Sequence, residues 1–294
     1  MSKKPAAKPA DKPAAKPAET AAAKPGAWET IAYGVEGHFL ADTEQIGVIT
    51  LNRPAKLNAI GVELVKEMNE ALDKIEKDPN IRAVIIRSAA EKAFSVGADL
   101  GAAAQLAQDM AKGRAFLAAG QALFRRIENS SKPFVAELNG IVYGGGLEMA
   151  MACDVRIAAK GARLGNPEVK VGLLPAWGGT QRMPKLVGLG RAKEYMMTGK
   201  DIPAEEAAAV GLVNKVVEPS ELHAEALFMA QQIADNAPIA VAMTKKTLNM
   251  AFSVPIEKGN EAELEACIKC FGTEDITIGI TAVFSKAKAK FKGK

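Results

Sequence analysis

Three cysteines and two histidines are all the soft metal-ligand chemistry that 294 residues contain. Cys153, Cys267 and Cys270 are too few for a disulfide framework. Cys267 and Cys270 form a CxxC, yet with only His38 and His223 elsewhere no four-ligand zinc set is apparent, so no metal is expected. Ordinary free thiols fit a reducing compartment, and a cytoplasmic location is expected. Aromatic residues make up only 5% of the chain. No uncharged apolar run approaches the length of a membrane span, so none is expected. Neither GxGxxG nor GxxxxGK[ST] occurs at the glycine-rich turns, which removes the usual support for a dinucleotide or P-loop site.

The net charge of +4 is also an absence once it is located. Residues 1–26 hold six lysines against Asp11 and Glu19, which accounts for all of it. A body of balanced charge gives no case for nucleic-acid binding. The first 27 residues are an imperfect Ala-Lys-Pro repeat without apolar anchors, and recurrent proline blocks a helix. A disordered tail is expected there, acting as a solubilising spacer or as an electrostatic tether. It has no apolar h-region and no arginine, so neither a signal peptide nor a mitochondrial transit peptide fits.

What is present reads as α/β. β-type runs recur at Ile46–Leu51, Ala83–Ile86, Phe134–Ala136, Val155–Ile157 and Val213–Val217. Leu64, Val65, Met68, Leu72 and Ile75 mark one apolar helical stripe, and a longer helix is predicted from about Ala102 to Ile127. After about Glu221 strand signals stop, and helices broken near Pro238 and Pro255 follow. The predicted organisation is a tail over 1–27, an α/β core over 28–221 and a helical region over 222–294.

Three segments carry unusual chemistry. In Phe94-Ser-Val-Gly-Ala-Asp-Leu100 a small-residue turn follows a strand. In the second, a strand runs through Tyr143 into Gly144-Gly145-Gly146 and then a helix carrying Glu148 in its first turn. Glycines there leave backbone N–H groups free beside a helix N-terminus, where developing negative charge can be held. An exposed glutamate complementing the helix dipole is the plainer reading of Glu148. The third, Leu164 to Arg182, supplies Glu168 in an apolar, turn-rich setting. Two glutamates sharing such a pocket would have their pKa values pushed apart, giving one acid and one base.

In this order, and together with Asn52-Arg-Pro-Ala-Lys-Leu-Asn-Ala59, Met197-Thr-Gly-Lys-Asp-Ile-Pro and Gly211-Leu-Val-Asn-Lys-Val-Val217, the three segments resemble the crotonase (enoyl-CoA hydratase/isomerase) superfamily from about residue 30 onward. The resemblance implies a spiral of ββα units with a C-terminal helical trimerisation region, assembled as a homotrimer or homohexamer. It also implies that the Ala98 and Gly145 N–H groups hold the thioester oxygen of an acyl-CoA. Glu148 would activate water for attack at C3 and Glu168 deliver the proton to C2, a redox-neutral hydration needing no cofactor.

Lys56, Leu57, Ala59, Asp99 and Leu100 become candidates for contact with CoA, and Lys92 is a further cation; for each lysine a solvated surface side chain is the alternative. Isomerase relatives need only one glutamate, and dienoyl isomerases carry aspartate where Ala176 stands. A non-catalytic binding relative would have no need of Ala98, Gly145, Glu148 and Glu168 together. Two departures stand out: Ser95-Val96 for a commoner Cys-Ala, and Ala176-Trp177 for Gly-Ala. By the resemblance, the second would place Trp177 near the acyl pocket; packing outside the turn or at a subunit contact is the alternative.

Overall fold

Continuous apolar runs, as opposed to alternating ones, belong to strands covered on both faces. In the computed structural model, which describes residues 28–38, 41–106 and 108–294, the first four predicted runs lie in such strands. Of Val213–Val217 only Lys215–Val217 is a strand, at the sheet edge with Lys215 exposed. The expected tail lies outside the described residues. The chain proceeds through β1 (Ile31–His38), β2 (Ala41–Leu51), α1 (Val62–Lys77), β3 (Ile81–Ser88), β4 (Ala93–Ser95), α2 (Leu100–Leu106) and α3 (Met110–Asn129). It continues with β5 (Phe134–Leu138), β6 (Ile141–Tyr143), α4 (Gly145–Ala152), β7 (Val155–Ala159), β8 (Arg163–Gly165), α5 (Gly179–Val187) and α6 (Leu189–Thr198). The last elements are β9 (Ile202–Pro203), α7 (Ala204–Ala209), β10 (Lys215–Val217), α8 (Leu222–Ala234), α9 (Pro238–Met250), α10 (Ile256–Phe271) and α11 (Glu274–Ser285).

From β3 to β8 the chain alternates between two sheets. The larger has the order β1-β2-β3-β5-β7-β10, parallel except for the β1–β2 pair; the smaller has the order β4-β6-β8-β9. Each of these three turns lays one strand in each sheet and then continues into helix. In β3, Ala83 and Ile85 face one apolar layer while Val84 and Ile86 face the other. That second face carries the main core, closed by α1, α3 and α4.

The single helix predicted over 102–127 is two. Asp109 caps α3 by accepting from the Lys112 N–H at 3.1 Å, so the chain restarts there. The first helix beyond residue 221 packs directly on the large sheet. Leu222, Ala226, Ala230 and Ala234 recur every four residues on α8, and their small side chains let the helix lie close on Ile46, Ala83, Ile85 and Val135. Only α9 to α11 extend beyond this layer. Buried Lys245 pins α9 to the core, donating to the Ile127 carbonyl at 3.2 Å, the Lys132 carbonyl at 3.1 Å and Asp154 Oδ2 at 2.8 Å.

His223, at the start of α8, ties that helix to the strands. Its Nδ1 lies 2.8 Å from Glu137 Oε2 on β5 and its Nε2 lies 3.1 Å from Glu36 Oε2 on β1. Arg87 on β3 completes the cluster, 3.5 Å from Glu36. The hydrogen bonds to Glu137 and Glu36 push the imidazole up to about 9, against the opposing effect of its burial. Because the folded pKa is the raised one, this stabilisation is complete below about pH 6.5 and is lost as pH rises toward 9. Wild type should therefore lose more melting temperature between pH 6 and 9 than His223→Gln. Parallel Tm–pH curves for the two would contradict this.

Candidate active site

The small sheet aims the three unusual segments at one place. β4, β6 and β8 are adjacent and parallel, so the turns that leave their C-terminal ends emerge side by side. Those turns carry Ala98, then Gly145 and Glu148, then Glu168. Ligand sites in α/β proteins favour such strand ends.

Glycine lets the first two turns touch. Gly97 has φ +89°, and a Cβ there would stand 2.8 Å from both the Gly145 nitrogen and the Tyr143 carbonyl oxygen. Ala98 lies in a parallel bridge with Ile60, in which the Ile60 N–H donates to Gly97 and the Asp99 N–H to Ile60. Ala98's own N–H is not used by that bridge. Among the described residues, neither it nor the Gly145 N–H donates within the chain.

Polar residues clasp the Ala98 turn from behind. Asn58 is fully buried with φ +54°. Its Nδ2 donates to Ser88 Oγ at 2.7 Å and the Phe94 carbonyl at 2.9 Å, while its Oδ1 accepts from the Arg53 N–H at 2.8 Å. The Ser95 hydroxyl donates to the Asn58 carbonyl at 2.8 Å and accepts from the Gly97 N–H at 3.1 Å. Serine in place of cysteine thus supplies a hydrogen-bonded brace. The sequence alone does not reveal this role for Asn58 and Ser95, because a polar residue in a turn ordinarily faces water.

The plainer reading of Glu148 is wrong. Every residue of α4 is buried, Glu148 included at 2% exposure. Its Oε1 accepts from the Trp177 and Gly179 N–H groups, both at 2.7 Å, at the N-terminus of α5. Burial pushes its carboxyl up to about 7, helped by the charge of Glu168; the two N–H donors and the Arg182 guanidinium pull the other way. Glu168 sits in a short 3₁₀ turn, Pro167–Val171, with Oε1 accepting from Asn166 Nδ2 at 3.2 Å. Its Oε2 is buried without a partner among the described residues, and burial raises its pKa as well. Glycine leaves space at both carboxylates. A Cβ on Gly144 would stand 3.2 Å from Glu168 Oε1, and one on Gly179 would stand 2.9 Å from Glu148 Oε1. Two carboxyls with raised pKa values, Glu148 at about 7, beside two unused N–H donors can move protons at carbons next to a polarised carbonyl.

The other candidates fall into two groups. Lys56, Asp99 and Leu100 stand at the rim of the Ala98 turn, with Lys56 3.5 Å and Arg53 3.6 Å from Asp99. Leu57 adopts a left-handed φ of 48° and its carbonyl accepts from the Val96 N–H, while Ala59 is buried against the same turn. Lys92 is exposed and stands apart from this rim, its carbonyl accepting from the Ile141 N–H at 3.0 Å. Trp177 is buried at 3% exposure beside Gly145. Nothing local in the sequence marks Arg182. It donates to the Trp177 carbonyl at 3.0 Å and to Glu128 at 2.8 Å, fixing the loop whose N–H groups hold Glu148. The three cysteines are free, and no group of three or more possible metal ligands occurs among the described residues. Nor is any helix there long and apolar enough to cross a membrane.

Relatives share this arrangement of chain. A short-chain-enoyl-CoA hydratase from Clostridium acetobutylicum is 44% identical over 83% of this chain and 93% of its own length. A crotonyl-CoA hydratase from Syntrophomonas wolfei is 40% identical over 88% of this chain and 99% of its own. The crystal structure of an enoyl-CoA hydratase from Bacillus anthracis superposes with a TM-score of 0.84 at 35% identity, covering 90% of this chain and all of that one. The model of the enoyl-CoA hydratase/isomerase family matches residues 41–294, and the protein belongs to that family, the crotonase superfamily.

Proposed function

We infer that the protein is an enoyl-CoA hydratase, adding water reversibly across the 2,3 double bond of an enoyl-CoA thioester to give a 3-hydroxyacyl-CoA. The observation that carries this reading is buried Glu148 and half-buried Glu168, whose Oε2 is shielded, beside two unused backbone N–H groups. The thioester oxygen accepts from Ala98 and Gly145, which stabilises the enolate-like charge that builds as C3 is attacked; one such donor is worth about 3 kcal/mol. Glu148 takes the proton of the attacking water and Glu168 supplies the proton at C2. A carboxyl near pKa 7 suits Glu148 for this exchange, since each direction of a reversible reaction needs the opposite protonation state. No electrons change hands, so the reading requires no cofactor; CoA enters as part of the substrate. Lys56 and the rim residues around it offer a cation and polar backbone where the CoA arm would pass.

The two-glutamate set favours hydration over simple double-bond isomerisation, for which one carboxylate is enough. Exposed apolar side chains on α10 and α11, Ile256, Phe271 and Phe284 among them, and Phe252 in the turn before α10, support a homotrimer or homohexamer closed through these helices. The free thiols fit a cytoplasmic setting. Incubation with crotonyl-CoA should bleach the conjugated enoyl-thioester absorbance. Absence of turnover across short, medium and cyclic enoyl-CoAs would overturn the hydratase reading, and a monomer mass by light scattering the oligomer.

A further inference from the structure

We propose that the Trp177 indole is the stop at the end of the acyl pocket and restricts the protein to short enoyl thioesters. This rests on the hydratase reading for the path of the substrate. With the thioester oxygen on Ala98 and Gly145 and the double bond between the glutamates, acyl atoms beyond C3 must leave past Glu148, away from the exposed rim at Lys56 and Leu100. Glu148 Oε1 is bonded to the N–H of Trp177 itself, so Trp177 stands next along that path.

The indole fills the gap between α3 and α4 and has no room to swing aside. A Cβ on Gly120, in the middle of α3, would overlap its pyrrole edge, at 2.5 Å from Cε2. A Cβ on Gly145 would overlap its benzo edge, at 2.5 Å from Cε3, with Ile60 Cδ1 beyond. Phe116 and Phe124 grip the ring edge-on, at centroid distances of 5.3 Å and 5.7 Å and interplanar angles of 82° and 86°. Two features carry a cost that a smaller apolar side chain would avoid. Mid-helix glycine at 120 loses about 1 kcal/mol relative to alanine. The indole N–H is buried without an acceptor among the described residues, which costs about 1–3 kcal/mol. Both follow from placing a large flat ring at this point, where it closes the way between the helices.

The test is titration of butanoyl-CoA and decanoyl-CoA, saturated and unreactive, into wild type, Trp177→Phe, Trp177→Leu and Trp177→Ala, with crotonyl-CoA turnover measured alongside. Wild type should bind the short thioester more tightly. The affinity ratio should move toward decanoyl-CoA as the side chain shrinks, by about tenfold or more for Leu and Ala. Gly120→Ala pushes the ring toward Gly145 and should move the ratio the other way. If Ala at 177 does not fold, the Phe and Leu variants decide. A ratio unchanged within about twofold in folded variants, or a wild type that hydrates crotonyl-CoA yet binds both thioesters alike, overturns the stop alone. Failure of wild type to bind any acyl-CoA brings down the hydratase reading and this inference with it.

Discussion

Replacing either Glu148 or Glu168 by glutamine lowers kcat for crotonyl-CoA by about 10²–10⁴-fold while leaving acyl-CoA binding nearly intact. Glutamine keeps the volume and one carbonyl oxygen, so at 148 it can still accept from the Trp177 and Gly179 N–H groups. What it cannot do is take or give a proton. The double substitution should cost less than the product of the singles, because the two carboxyls serve one transition state. Deuterium exchange at C2 of a saturated analogue separates the roles. Glu168→Gln should suppress it more strongly, since the Ala98 and Gly145 donors still stabilise the enolate in both variants.

Two pH signatures accompany these losses. In the hydration direction, kcat/KM should rise as pH climbs through about 7 and Glu148 loses its proton, and that limb should be missing from Glu148→Gln. Stability should move oppositely. The folded pKa of Glu148 is raised, so between about pH 4.5 and 7 ionisation favours the unfolded chain, and wild type carries that penalty in full above pH 7. Glu148→Gln removes it and should melt above wild type at pH 8, which also shows that the lost activity is not lost folding. Near wild-type hydration by either single variant would overturn the two-glutamate mechanism.

The parts of this site legible in sequence are those whose chemistry is local. Burial on both faces demands unbroken β-branched runs, so β3 and β5 could be read directly from Ala83–Ile86 and Phe134–Ala136. The split at Asp109 was hidden by an alanine-rich pattern that continues across it, although an N-cap aspartate was there to be seen. The α8 stripe was equally visible, but whether small residues spaced by four face a sheet or a subunit depends on strands far away in sequence. Long range also explains the missed residues. Asn58 acts on Phe94, Arg182 on Glu128, and Trp177 fits only because Gly120 lies 57 positions earlier. Composition and spacing suggested that Glu148 and Glu168 could share a pocket; family resemblance alone said that they do. The physical reason is the side-by-side exit of the chain from β4, β6 and β8.

That exit makes Gly97 the most sensitive position that touches neither substrate nor proton. Gly97→Ala should lower kcat/KM by about 10²–10³-fold, the loss expected when one oxyanion donor is displaced. The new Cβ would stand 2.8 Å from the Gly145 nitrogen and 2.8 Å from the Tyr143 carbonyl oxygen, both backbone atoms at the join of β6 and α4. They cannot rotate away as a flexible side chain would, so the Ala98 and Gly145 turns must separate and their N–H groups cease to converge. Alanine at φ +89° is strained in any surroundings, by about 1–2 kcal/mol, and that part needs a control. Gly161 provides it. It has φ +83°, yet a Cβ there meets nothing within 4 Å, in the turn between β7 and β8. Gly161→Ala should therefore lower Tm through strain alone and leave kcat/KM close to wild type. If the two variants lose activity in parallel, strain accounts for both and the contact between the two turns is not what holds the oxyanion donors in register. If Gly97→Ala keeps wild-type kcat/KM with a lowered Tm, the Ala98 and Gly145 N–H groups are not the donors that the reaction uses.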